Sequence, residues 1–181
     1  MNESSTLTRP QVVFGKLGRL HLPQLPGIEG QGAAPRWDRQ DFVAAFQSSG
    51  TAGAVAEING RVVGFALYQV APPADGIGLG GIKRLLRWCW PWKADALASL
   101  QHVDLLRIGV LAEWQRQGIG RSLLERLHQE FRRSGCRIQA IVPESNLPAQ
   151  LFLKDAGYKA VRILPGHYGG EDGYLMERQC S

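Results

Sequence analysis

An apolar, strand-like run from Leu105 to Leu111 leads through Gln115-Arg116-Gln117-Gly118-Ile119-Gly120-Arg121 into an amphipathic run from Ile119 to Phe131. Ile119, Leu123, Leu124, Leu127 and Phe131 recur on one helical face, so the chain must leave a sheet and open a helix at this turn. A glycine-containing turn of this kind presents several free backbone N–H groups in one place. The helix dipole adds partial positive charge, and Arg116 and Arg121 add full charges. Glycine has no Cβ to keep a ligand away from the backbone. The turn therefore suits a phosphate or pyrophosphate; the alternative is a tight turn that binds nothing. It is not a dinucleotide fingerprint, because Leu123 stands three residues after Gly120. It is not a Walker loop either, because no Gly-Lys-Ser/Thr follows.

The rest of the chain supplies strands and helices around this unit. Gln11 to Phe14 reads as a first strand, and Leu22 to Pro35 as loop with a short helix. Asp38 can cap a helix with apolar positions Phe42, Val43 and Phe46, ended by Gly50. Asn59-Gly60 between Ala54–Ile58 and Arg61–Val70 is a strong hairpin signal. The segment from residue 72 to 101 interrupts the pattern as an insertion, with a glycine cluster and a basic, tryptophan-rich stretch from Lys83 to Lys93. Gly135 ends the amphipathic helix. Cys136–Val142 reads as a strand, Leu147–Ala156 as a helix closed by Gly157, and Lys159–Leu164 and Gly173–Arg178 as final strands. This order predicts one α/β domain: a mixed, mostly antiparallel central sheet flanked by helices on both faces.

A chain of 181 residues is one ordinary domain, long enough to bury roughly 70% of its unfolded surface. The first ten residues are polar, with no basic segment leading into an apolar core, so no secretory signal is read there. Cys89, Cys136 and Cys180 lack metal-ligand spacing, and the four histidines form no HExxH pair, so no metal site is expected. An odd number of unspaced cysteines fits a reduced, cytoplasmic setting. The net charge is +5, of which Lys83, Arg84, Arg87 and Lys93 supply +4. The basic character is local, and DNA is not an expected partner. The Lys83 to Lys93 stretch reads either as a docking surface for an acidic partner, a membrane surface or ribosomal RNA, or as a partly buried cap with solvated basic tips.

Gln115-x-x-Gly118-x-Gly120, following a strand, resembles the acetyl-CoA motif of the GNAT superfamily of N-acetyltransferases. Asn146, Ala149, Gly157 and Tyr158 are similar to a second motif of that family. His167-Tyr168, Glu171-Asp172 and Met176 resemble the ending of its ribosomal-protein N-alpha-acetyltransferase branch. The resemblance implies that a primary amine attacks the thioester of acetyl-CoA directly. It implies that Ile108, Gly109 and Val110 bind the pantetheine arm and polarise the thioester carbonyl. It further implies that Gln115, Arg116, Gln117, Gly118, Ile119, Gly120 and Arg121 hold the pyrophosphate, and that Asn146 touches the cofactor.

The chemistry requires these parts. An amine of pKa near 10.4 is about 99.9% protonated at neutral pH, whereas an α-amine near 7.7 to 8.0 is far easier to free. A base or a water relay must take its proton, and a fixed N–H donor stabilises charge on the thioester oxygen. The branch carries a glutamate five residues before the motif asparagine and a tyrosine seven residues after it. Here those positions are Ile141 and Leu153, and neither can transfer a proton. Asp104, at the start of the motif strand, is the leading base or water-orienting residue. Period-two alternation would put it on the face of Leu106, Ile108 and Val110; the alternative is a solvated strand-end carboxylate. Glu144 could reach the site or merely begin a helix. Tyr168 could line a peptide groove, donate a proton to the thiolate, or pack against the sheet. The acceptor is expected to be a protein N-terminal α-amine. A small-molecule amine is the alternative, and a non-catalytic acyl-CoA-binding protein is a third reading.

Overall fold

The computed structural model describes residues 11–29, 35–70, 102–132 and 136–180. Its strands are β1 (Val13–Lys16), β2 (Thr51–Ile58), β3 (Arg61–Val70), β4 (His102–Val110), β5 (Arg137–Pro143), β6 (Lys159–Leu164) and β7 (Gly173–Gln179). Its α-helices, numbered in chain order, are α1 (Leu25–Ile28), α2 (Arg39–Gln47), α3 (Ile119–Phe131) and α4 (Leu147–Asp155). The strands form one seven-stranded sheet in the order β1-β2-β3-β4-β5-β7-β6. Every neighbouring pair is antiparallel except β4 and β5, which α3 joins as a parallel crossover. The first strand lies two residues later than expected. The insertion expected at 72–101, with the basic stretch Lys83 to Lys93, lies outside the described residues, as does Gly135.

Local chemistry accounts for much of this. Asn59 and Gly60 both take positive φ, +51° and +76°, as a two-residue turn between twisted strands requires. Asp38 accepts from the backbone N–H groups of Gln40 and Asp41 at 2.6 and 2.9 Å. Asp41 accepts in turn from the N–H of Asp38 at 2.8 Å, which completes a reciprocal cap on α2. On α3, Ile119, Leu123, Leu124 and Leu127 are buried on one face.

The sheet has a core on each side. Ile119, Leu123, Leu124 and Leu127 of α3 and Leu153 of α4 pack on one face against Val103, Leu105, Ile138 and Met176. On the other face Leu25, Ile28 and Phe42 of the first two helices pack on Val55, Val62, Phe65 and Leu67. Phe42 meets both Trp37 and Phe65 edge-on, with ring centroids 5.3 and 5.5 Å apart.

Candidate active site at a fork in the sheet

The parallel pair β4–β5 is short. His102 pairs with Arg137, Val103 with Ile138 and Asp104 with Gln139, and there the ladder stops. β4 continues to Val110 along β3, and β5 continues to Pro143 along β7. Beyond Asp104 and Gln139, Leu105–Val110 and Ala140–Pro143 therefore face each other as two strand edges with no ladder between them. Backbone N–H and C=O groups on such edges require partners. An extended ligand carrying amides can supply them as an added strand would.

At the open end of β4 lies the glycine turn. Arg116 and Gly118 both have positive φ, +60° and +84°. Gly118 is the N-cap of α3 but offers no side-chain cap, and the helix has no acid in its first turn. The leading N–H groups of a 13-residue helix thus stand uncapped beside exposed Arg116 and Arg121. The two glycines serve different ends. A Cβ on Gly118 would meet nothing within 4 Å, so its glycine answers to the left-handed backbone and leaves open space for a ligand. A Cβ on Gly120 would stand 3.3 Å from the Phe152 ring, so that glycine lets α3 close on α4. Gln115 and Gln117 are exposed but fold back on the chain: their side-chain amides donate to the carbonyls of Val110 at 2.9 Å and Glu113 at 3.1 Å. Gln115 thereby ties the turn to the last residue of β4.

Asp104 stands where the fork closes. It is 6% exposed, not the solvated strand-end carboxylate that was one expectation. Its Oδ1 accepts from Gln139 Nε2 at 2.6 Å, and His102 Nε2 lies 3.6 Å from the same oxygen. The expected shared face with Ile108 and Val110 does not hold. A bulge leaves Leu106 without a partner between Leu105, opposite Tyr68, and Arg107, opposite Leu67. One extra residue reverses the alternation. Val103, Leu105, Ile108 and Val110 lie with α3, while Leu106 lies in the opposite core. Asp104 shares that opposite face with Leu106 and Arg107.

On that second face the wall of the fork is a charged cluster. Arg107 Nη2 donates to Pro35 O at 2.8 Å, and its guanidinium lies 4.5 Å from the Trp37 ring centroid. Arg107 Nε and Glu29 Oε1 are 3.2 Å apart but too poorly angled for a hydrogen bond, so they form an ion pair only. Glu29 Oε2 accepts from the N–H of Trp37 at 2.7 Å. Burial pushes the Glu29 carboxyl up, against the pull of that N–H and of Arg107. The cluster fastens the α1–α2 connection to β4 beside the fork.

The other candidates lie around β5. Asn146 is the N-cap of α4, with Oδ1 accepting from Ala149 N–H at 3.2 Å, so helix capping is one of its duties. Tyr168, in the β6–β7 turn, donates its hydroxyl to Ile141 O at 3.0 Å and meets His167 edge-on, so it is fastened to the β5 edge of the fork. Glu144 is exposed, and its carboxylate accepts from Tyr174 at 3.3 Å. Ile141 is half-buried and Leu153 lies in the core at 3% exposure, so neither position offers a proton carrier. Sequence reasoning missed His102, Glu29, Trp37 and Arg107. Arg107, a charge inside an apolar strand, was the one visible signal. Among the described residues no cluster of metal ligands occurs, and no helix is long and apolar enough to cross a membrane.

A mixed sheet with a forked parallel pair, and an uncapped helix start at the mouth of the fork, make a site suited to an extended ligand ending in phosphates. Residues 17–158 match the acetyltransferase (GNAT) family, and the chain belongs to it. It is an acetyltransferase of that family, with acetyl-CoA as co-substrate. No curated protein matches the chain by sequence. Among solved structures, the ribosomal-protein-S18-alanine N-acetyltransferase of Escherichia coli is similar at TM-score 0.70 and 24% identity, covering 94% of this chain and 95% of that one. Arabidopsis thaliana NAA60 in complex with acetyl-CoA gives TM-score 0.70 at 19% identity, covering 93% and 98%. Arabidopsis thaliana Naa50 with the bisubstrate analogue CoA-Ac-MVNAL gives TM-score 0.66 at 19% identity, covering 92% and 97%. At these identities the likeness is one of fold.

Proposed function

We propose that this acetyltransferase acts on the α-amine of protein N-termini, with Asp104 taking the proton. The observation that carries the reading is the place of Asp104: a buried carboxylate at the closed end of the fork, on the face opposite α3 and α4. In this scheme the uncapped start of α3 holds the pyrophosphate, with Arg116 and Arg121 as counter-charges. Ile108, Gly109 and Val110 present the free β4 edge to the pantetheine arm. The co-substrate supplies an activated acetyl thioester; the chain supplies alignment, an N–H donor for the developing oxyanion and a proton acceptor. The amine enters from the Asp104 face, between Trp37 with Arg107 on one side and Tyr168 on the other.

An N-terminal amine suits this equipment. Its pKa near 7.7 to 8.0 leaves an appreciable neutral fraction, so a single carboxylate suffices where lysine would demand more. The solved structures of similar fold include a ribosomal-protein-S18-alanine N-acetyltransferase and a Naa50 in complex with the bisubstrate analogue CoA-Ac-MVNAL. Purified protein with acetyl-CoA and a panel of N-terminal peptides should release free CoA and give mono-acetylated peptide by mass spectrometry. Turnover confined to polyamines, amino acids or aminoglycosides would move the acceptor to small molecules. CoA binding without turnover on either panel would leave a binding protein. Asp104→Asn keeps an acceptor oxygen for Gln139 and removes the charge. It should lower kcat by about 10²-fold, about 2.7 kcal/mol, with the KM for acetyl-CoA retained.

A further inference from the structure

A buried base that takes a proton in every turnover must also lose it. The Asp104 side chain is 8% exposed, and its strand neighbours across the ladder, Gln69 and Gln139, are amides that cannot carry a proton away. His102 lies two residues earlier on the same strand, before the bulge, and so on the same face. Its side chain is 30% exposed, yet its Nε2 is buried, has no hydrogen-bond partner among the described residues, and lies 3.6 Å from Asp104 Oδ1. The ring thus turns a buried nitrogen toward the carboxylate, while part of the side chain is exposed to solvent. Among the described residues, Asp104 stands on the same strand as His102 and Arg137 opposite His102 on β5, and Arg137 pairs in turn with Glu177 of β7 at 3.5 Å.

We infer that His102 is a positioning residue that acts through Asp104, carrying its proton out of the fork; this rests on the acetyl transfer proposed above. The amine lone pair forms the C–N bond at the thioester carbonyl carbon, and the C–S bond breaks with its electrons leaving on sulfur. The amine proton passes to Asp104 and then to His102 Nε2. The resulting imidazolium returns a proton to solvent and reverts to its Nδ1–H tautomer, and the CoA thiolate takes a proton from solvent, so charge and protons balance. Imidazole is the ordinary proton carrier among side chains near neutral pH, and loss of the proton to it restores the Asp104 carboxylate for the next cycle.

The experiment compares wild type, His102→Ala and His102→Gln with acetyl-CoA and the best peptide acceptor, following CoA release from pH 5.5 to 9, with and without added imidazole. Both variants should lose about 10-fold or more in kcat with KM for acetyl-CoA unchanged. The shape of the pH profile should differ from that of the wild type in both variants. Imidazole should restore His102→Ala toward the wild-type rate and leave the wild type unaffected. A rate loss in His102→Ala that imidazole does not restore would overturn the relay, as would an unchanged rate or an unchanged pH profile in either variant. A wild type that transfers acetyl to neither peptides nor small amines overturns the function reading itself, and the relay with it.

Discussion

His128 should make this protein acid-labile by a calculable amount. Arg178 Nη1 donates to Ala156 O at 2.6 Å and contacts His128 Nδ1 at 2.7 Å. A guanidinium can only donate, so Nδ1 accepts and the ring is neutral, with its proton on Nε2, 3.1 Å from the Tyr158 hydroxyl. The network joins α3, the end of α4 and β7. Protonation would set imidazolium against guanidinium, and burial with Arg178 beside it holds His128 down to about 4 from an ordinary 6.5. A histidine depressed in the fold binds its proton more readily when unfolded. Its contribution is therefore complete above about pH 6.5 and is lost as pH falls toward about 4. The undiscounted gap is about 3.4 kcal/mol; the ring is half-buried, and solvent screening reduces this to about 1.5 kcal/mol. His128→Gln keeps an acceptor for Arg178 and removes the titration. Urea unfolding at pH 7, 6, 5 and 4 should show the wild type losing about 1.5 kcal/mol more than the variant across that range. For a chain of this size that is about 3–6 °C in Tm. Parallel losses in the two proteins would refute the reasoning.

Two further outcomes test the cofactor side. Gly118→Ala should cost about 1–2 kcal/mol in stability, because an alanine at φ +84° is strained though its Cβ meets nothing. It should also raise the KM for acetyl-CoA with little change in kcat, read from initial rates at saturating acceptor; an unchanged KM would remove the turn from cofactor binding. Asn146→Ala should lower stability by about 1 kcal/mol in urea through loss of the α4 cap. A rise in its acetyl-CoA KM beyond what Asn146→Ser shows would give that residue a second, direct duty.

The glycine turn, the amphipathic helix, the Asn59-Gly60 hairpin and the Asp38 cap are legible in the sequence because each is written within a few residues. Period, turn chemistry and capping all act along the chain, and the structure places these elements near the expected residues. Gly118, expected to let a ligand approach the backbone, has open space where a Cβ would stand and a φ of +84°. Gly120 looked like its twin, yet its absence of a side chain answers to Phe152, some thirty residues on. Nothing local distinguishes the two.

What the sequence determined by itself was the family-type scaffold and the glycine turn that opens α3 at the mouth of the fork. What only the tertiary structure decided was the side of the sheet on which Asp104 stands. Strict alternation put Asp104 with Ile108 and Val110. The bulge at Leu106, which exists only because Leu105 and Arg107 pair with adjacent residues of β3, moves it to the other face. The same pairing turns Arg107 toward Glu29 and Trp37, and the short β4–β5 ladder brings Gln139 onto Asp104 beside His102. A register shift is a property of two strands, and one strand's sequence does not contain it.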